Sequence, residues 1–336
     1  MAKKWRILLS ILAVLIVIYL LGPNPARPVY DPALPAIPAD AAALEAYISA
    51  HEAEHHLKPD NQARIVWADS SKRKTKYALL YLHGFSASQG EGDPVHRQFA
   101  KRYGCNLYLS RLAEHGIDTT EPMVNLTADN YWNSAKEAYA IAKQLGDSVI
   151  IVGCSTGGTF ALQLAAAYPD DPIKALLLLS PNIAINDPNA WLLNNPWGLQ
   201  IAHVVLGSPY KVSDDTRPVY KQYWTYKYRM EAAVSLEELL ETTMTSNTFK
   251  KVKQPVLLLY YYKDEQHQDP TVKVSAARSM FEKLGTPAPL KRSVAMPNVG
   301  DHVIGSYIKS HDLPGVQREM AGFAEQVLGI QPVATP

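Results

Sequence analysis

Residues 148–159, SVIIVGCSTGGT, join a short apolar run to the start of a helical pattern, with a serine at the junction. The run Ser148–Gly153 shows no polar alternation, so it reads as a strand buried on both faces. Thr159–Tyr168 reads as the helix that follows. Between them stands G-x-S-x-G, Gly153 to Gly157. In a sharp strand-to-helix turn, large side chains beside the serine would collide, hence the two glycines. Such a turn lifts the Ser155 hydroxyl above the sheet and aims the first helical N–H groups, notably that of Thr156, at whatever the serine attacks.

Outward from this turn the chain alternates strand-like and helix-like segments. A first helix is expected over Asp40–Leu57, with Asp40 as N-cap. Ala63–Ala68 and Tyr77–His83 read as strands around a polar, Lys-rich turn. A helix near His96–Arg102, a strand at Asn106–Ser110 and a helix at Ala128–Leu145 lead to the serine turn. Beyond it come buried-type runs at Ile173–Leu179 and Pro255–Tyr262, a helix at Val272–Leu284, a strand near Leu290–Val294 and a helix at Val316–Leu328. The pattern is α/β, a mostly parallel sheet flanked by helices.

The composition agrees. Among 336 residues, 33 Lys+Arg face 32 Asp+Glu, and 47% of residues are hydrophobic. A net charge of +1 is no footprint for a row of phosphates, so nucleic acid is not an expected partner. Two cysteines exclude a disulfide framework and are expected to be free thiols.

The N-terminus reads differently. Lys3, Lys4 and Arg6 precede an apolar run from Ile7 to Leu21, followed by a poor cleavage site, Gly22-Pro23-Asn24-Pro25. Residues 1–21 are therefore expected to be a retained membrane anchor, with the basic end cytoplasmic and the remainder extracytoplasmic, periplasmic in a bacterium. The alternative is a signal segment cleaved from a secreted protein. Residues 22–39 hold six prolines and read as an extended linker or as a strap on the domain surface. The main domain is expected over 40–330.

A serine needs a base oriented by an acid. In strand-end order after Ser155 come Asp264, 109 residues on, and His302, 38 residues beyond that. Asp264 is the expected orienting carboxylate, with Glu265 and Asp269 as rivals, and His302 the expected base. Leu82-His83-Gly84-Phe85 closes an early strand, and the Phe85 N–H is expected to share an oxyanion hole with that of Thr156. His51-Glu52-Ala53-Glu54-His55 fits H-E-x-x-H, but its histidines continue the face of Leu44, Tyr47 and Ile48. Packing is the expected role, and no metal is expected.

On these motifs, with Arg111–Gly116, the Pro255-to-Asp264 strand end and Gly300-Asp301-His302, residues 62–328 resemble the α/β-hydrolases, in the branch of monoacylglycerol lipases and bacterial carboxylesterases. The resemblance implies a Ser155, Asp264, His302 triad that cleaves carboxylic esters through an acyl-enzyme, without metal or organic cofactor. It implies a small-molecule ester as partner, monoacylglycerol or a short- to medium-chain acyl ester, with a thioester or small peptide amide as alternatives. A non-catalytic, membrane-tethered binding protein on the same fold is the alternative of another class. It also implies a helical cap over about 182–253, a stretch rich in Trp and Tyr. The chain departs from the family pattern at Glu114, at Tyr261 and at Glu265-Gln266-His267.

Overall fold

The computed structural model describes residues 2–334. Its main sheet has seven strands, β1 (Arg64–Val66), β2 (Thr75–Leu82), β3 (Asn106–Leu109), β4 (Gly146–Cys154), β5 (Ile173–Leu179), β8 (Val256–Tyr260) and β9 (Lys291–Ala295), in the order β1-β3-β2-β4-β5-β8-β9. Only β1 runs antiparallel to its neighbour. It pairs with β3, so the Lys-rich turn after it crosses over and does not close a hairpin with β2.

Because successive side chains point to opposite faces, the apolar strands supply two cores. Leu80, Leu82, Ile151 and Leu178 join one cluster; Leu79, Tyr81, Ile150 and Leu177 join the other. The first is covered by α2 (Ala41–Ala53), α4 (Ala128–Leu145), α5 (Thr156–Ala167) and α10 (Val274–Lys283), the second by α3 (Val95–Tyr103) and α11 (Leu313–Gln326). The helices start where the sequence supplies caps. Asp40 accepts from the Ala43 N–H, and Thr127 forms a reciprocal box with Asn130. His51 and Glu52 of the H-E-x-x-H stretch are engaged in packing and pairing. The His51 ring lies against Tyr47 and its Nδ1 is 2.9 Å from Glu137, while Glu52 holds Arg111 and the Ala63 N–H.

Between β5 and β8 the chain builds a layer above the sheet. It comprises α6 (Gly198–Leu206), a small antiparallel pair β6 (Tyr210–Val212) and β7 (Lys227–Arg229), α7 (Pro218–Tyr223) and α8 (Met230–Thr243), after which α9 (Ser246–Lys251) returns to pack Phe249 into the core with α5 and α10. The β6–β7 pair has no counterpart in the sequence reading, because strands of three residues leave no periodicity to detect.

Residues 7–21 do not supply a membrane span. Lys3, Lys4 and Arg6 lie inside the first helix, α1 (Ala2–Leu20), and the apolar run beyond them is about 22 Å long against about 30 Å of hydrocarbon. No helix among the described residues is long and apolar enough to cross a membrane. The expected anchor, the membrane as partner and the extracytoplasmic placement are corrected accordingly. The end of α1 meets the layer above the sheet instead, where Trp197 Nε1 donates to Ile18 O at 3.0 Å.

Residues 29–37 lie as a strap on α4. Proline-rich, extended chain cannot satisfy its own carbonyls, and α4 supplies the donors. Trp132 Nε1 donates to Asp31 O (3.1 Å), and the buried ammonium of Lys136 donates to Asp31 O and Ala33 O (2.7 and 2.9 Å). Tyr30, Leu34 and Ile37 pack against the core.

Candidate active site

The serine turn is built by close approach. Ser155 holds φ 51° and ψ −119°, a strained backbone for a side chain larger than glycine. A Cβ on Gly157 would overlap the carbonyl of Leu82 at the end of β2, and one on Gly153 would overlap the Gly157 peptide. The turn is fixed to β5 as well, since Ser155 N donates to Leu179 O (3.0 Å) and Asn182 N to Ser155 O (2.9 Å). Cys154 is buried beside it, and burial pushes its thiol well up, so it is no rival nucleophile.

Two neutral histidines hold the turn after β2. Leu112 N donates to His83 Nε2 (3.0 Å), which leaves the proton on Nδ1, 2.9 Å from Gly84 O. Ser86 N donates to His115 Nε2 (3.0 Å), and His115 Nδ1 lies 2.7 Å from Ala113 O. Burial drives both rings below their ordinary pKa, that of His83 to about 4, so neither carries charge near neutrality. Among the described residues the N–H groups of Phe85 and Thr156 donate to no protein acceptor. Glu114, in the Arg111 loop, stands at a positive φ of 64°, a conformation that favours glycine.

The carboxylate beside His302 is Asp269. Its Oδ2 lies 2.6 Å from His302 Nδ1, and its Oδ1 accepts from the N–H groups of Thr271 and Val272 (2.8 and 3.0 Å). Burial would raise Asp269, yet the charge and hydrogen bond of His302 and the two N–H donors hold it below the ordinary carboxylate range. Burial would lower His302, but the charge and hydrogen bond of Asp269, with the charges of Glu91 and Asp301, raise it above 6.5. His302 Nε2 is buried without a partner among the described residues.

Asp264, the expected acid, is elsewhere. Its side chain is half exposed and accepts from His267 Nδ1 at 2.8 Å. The reason is a loop that the sequence reading did not resolve. After β8 ends at Tyr260, the Asp264 carboxylate accepts from Gln266 N and His267 N, and Tyr262 pairs with Gln268. Residues 261–268 thus double back, and Asp269 is the carboxylate that returns to the strand end, its N–H donating to Tyr261 O. The available signal was Asp269-Pro270-Thr271-Val272 ahead of a helix, an acid able to cap the two N–H groups that follow it.

Ser155, His302, Phe85 and Glu91 line one cavity of about 870 Å³. Ile201, Val205 and Leu206 of α6 and Met230 and Leu236 of α8 give it an apolar wall; Lys211, Asp187 and Lys309 add charged groups to its lining. Of the aromatics in residues 182–253, Tyr220, Trp224 and Tyr228 reach the cavity, the first two stacked at 4.9 Å. Glu91 was not singled out from sequence, because Gln89-Gly90-Glu91-Gly92 reads as a solvated polar turn.

Solved structures of low sequence identity share the architecture. One, described as the metagenome-derived lipolytic enzymes LipS and LipT, matches with TM-score 0.62 and 16% identity, over 80% of this chain and all of that one. The monoacylglycerol lipase of Paleococcus ferrophilus matches with TM-score 0.53 and 14% identity, over 76% of this chain and 98% of that one. A thermostable monoacylglycerol lipase from Bacillus sp. (strain H-257) is 34% identical over 92 residues, 27% of this chain and 36% of the relative's length. The match thus spans little more than a third of that relative. The model of the alpha/beta hydrolase family matches residues 79–317. With a seven-stranded sheet of the order given and the serine turn between β4 and α5, the chain belongs to the alpha/beta hydrolase family.

Proposed function

We propose that the protein hydrolyses carboxylic esters, with Ser155 as nucleophile, His302 as base and Asp269 as the carboxylate that orients it. The observation that carries this reading is the 2.6 Å contact of His302 Nδ1 with Asp269, which leaves Nε2 unpartnered in the cavity that Ser155 lines. His302 Nε2 takes the Ser155 proton as Oγ adds to the ester carbonyl. The N–H groups of Phe85 and Thr156 hold the resulting oxyanion, and Asp269 stabilises the imidazolium. Collapse breaks the ester C–O bond, and the alcohol leaves with the proton from His302. Water, deprotonated by the same nitrogen, then adds to the acyl-enzyme and releases the acid and the free serine.

The apolar wall from α6 and α8 suits an acyl chain, and the charged groups of the lining suit a hydroxylated leaving group. A monoacylglycerol or a short- to medium-chain acyl ester fits both. The test is a series of p-nitrophenyl and monoacylglycerol esters of graded chain length, run beside labelling with a fluorophosphonate probe. Ser155→Ala is expected to abolish labelling and lower kcat by about 10⁴–10⁶-fold. Retained labelling in that variant refutes the assignment.

A further inference from the structure

Glu91 sits in the tight turn of residues 89–92, just after the oxyanion turn, and is 2% exposed. Its Oε2 accepts from Gly84 N at 2.6 Å and from the Tyr81 hydroxyl at 3.1 Å. A Cβ on Gly84 would lie 2.6 Å from Glu91 Oε1 and 2.9 Å from Ser155 Cβ, so carboxyl and nucleophile flank the same residue. The turn is pinned, because Ser306 Oγ donates to Gly90 O (2.8 Å) and His96 Nε2 lies 2.9 Å from Gln89 O. The titratable groups facing the carboxyl are Tyr81 from β2, Cys154 from β4, Tyr131 from α4 and His302 from the loop after β9. Asp93, on the same loop, pairs with Arg97.

We propose that Glu91 is a positioning residue for the ester hydrolysis argued above, on which this inference rests: its carboxyl fixes the Gly84 N–H, and with it the peptide that presents the Phe85 N–H, and its negative charge supports the imidazolium of His302. A hydrogen bond on Gly84 sets the direction of the next peptide, and a misaimed oxyanion donor costs about 10²–10³ in kcat. A purely structural acceptor would need no charge, yet this carboxyl faces the reaction cavity with the base as its charged neighbour. Burial pushes Glu91 up to about 7, against the pull of the Gly84 N–H and the His302 charge. The two charges are coupled, and an ionised Glu91 keeps His302 protonated to higher pH.

Two variants separate the roles, each measured as kcat and KM on a water-soluble p-nitrophenyl ester from acid to alkaline pH. Glu91→Leu removes the acceptor and is expected to lower plateau kcat about 10²-fold with little change in KM. Glu91→Gln keeps an acceptor for Gly84 and Tyr81 and is expected to recover most of that loss. Its acid limb of kcat/KM should move to lower pH, because His302 has lost an anionic neighbour. A Glu91→Gln profile superimposable on wild type, or a plateau as low as that of Glu91→Leu, overturns the proposal even if Glu91→Leu fails to fold. Fluorophosphonate labelling of the wild type at Ser155 tells the two failures apart. A labelled, active wild type with an unmoved Glu91→Gln profile defeats only the role of Glu91, whereas an unlabelled, inactive wild type defeats the hydrolase reading and this inference together.

Discussion

Asp269 and His302 are 33 residues apart in sequence and their side chains meet at 2.6 Å, Oδ2 to Nδ1, with the carboxylate fully buried. Asp264, five residues earlier, holds a different histidine on the surface. Asp269→Asn is therefore expected to lower kcat by about 10³–10⁴-fold, because an amide favours the wrong imidazole tautomer. Asp264→Asn is expected to stay near wild type. Parallel kcat measurements on one ester decide between them.

The same pair fixes the sign of the pH dependence. As the proposed base, His302 must be neutral to act, and its raised pKa is expected to put the acid limb of kcat/KM above 6.5. Removing the Asp269 charge should move the residual activity of Asp269→Asn to a limb at lower pH. For stability, the contribution of His302 is present below its ordinary 6.5 and lost as pH rises through its raised value. That of Asp269 is present above 3.8 and lost as pH falls through its lowered value. Thermal unfolding across pH should fall off on both sides of this window, and Asp269→Asn should flatten the acid side.

The proposed acyl site predicts a dependence on chain length. Ala233 lines the cavity on α8, and Ala233→Trp is expected to shorten the preferred acyl chain while leaving acetate esters as good substrates. Each methylene excluded from the wall forfeits about 0.8 kcal/mol, so kcat/KM should fall about fourfold per added carbon relative to wild type. The chain-length series reads this directly.

Arg111 and Glu52 form an ion pair at 2.9 Å with side chains only 7% and 13% exposed. Glu52 also accepts from Ala63 N at 2.7 Å. Glu52→Ala leaves a buried guanidinium without its counter-charge and the Ala63 N–H without its acceptor, and is expected to cost about 3–5 kcal/mol in urea unfolding. Arg111→Met with Glu52→Leu, which removes both charges, should recover part of that loss.

The parallel strands were legible because their side chains are apolar in unbroken runs. Ile173–Leu179 and the helix Ala128–Leu145 fall where the pattern puts them. The serine turn was legible because two glycines, Gly153 and Gly157, must stand where backbone meets backbone. Asp269 was not chosen, because a residue count after a strand assumes a direct path, and the hairpin-like turn at 261–268 consumes the difference. Glu91 was invisible for another reason. Its burial comes from β2, β4 and the His302 loop closing round it, contacts between residues far apart in sequence. The N-terminal run misled through its flanks, since the basic residues before it and the prolines after it were given more weight than a run of about 22 Å, short for a span.

The strap over α4 also imposes an order of events. Lys136 and Asp31 are 105 residues apart, so the strap has nothing to grip until α4 lies on the sheet. It is expected to settle last and to open first, and its amides should exchange ahead of those of the strands beneath it. Its release would not stay local. Trp132 and Lys136 would lose their acceptors, next to Tyr131, whose ring stacks on His115, the histidine that receives the Ser86 N–H beside the oxyanion turn. These contacts join the strap to the loop of Phe85, so cleavage within residues 29–37 is expected to change kcat of the proposed reaction, read on a water-soluble ester before and after limited proteolysis.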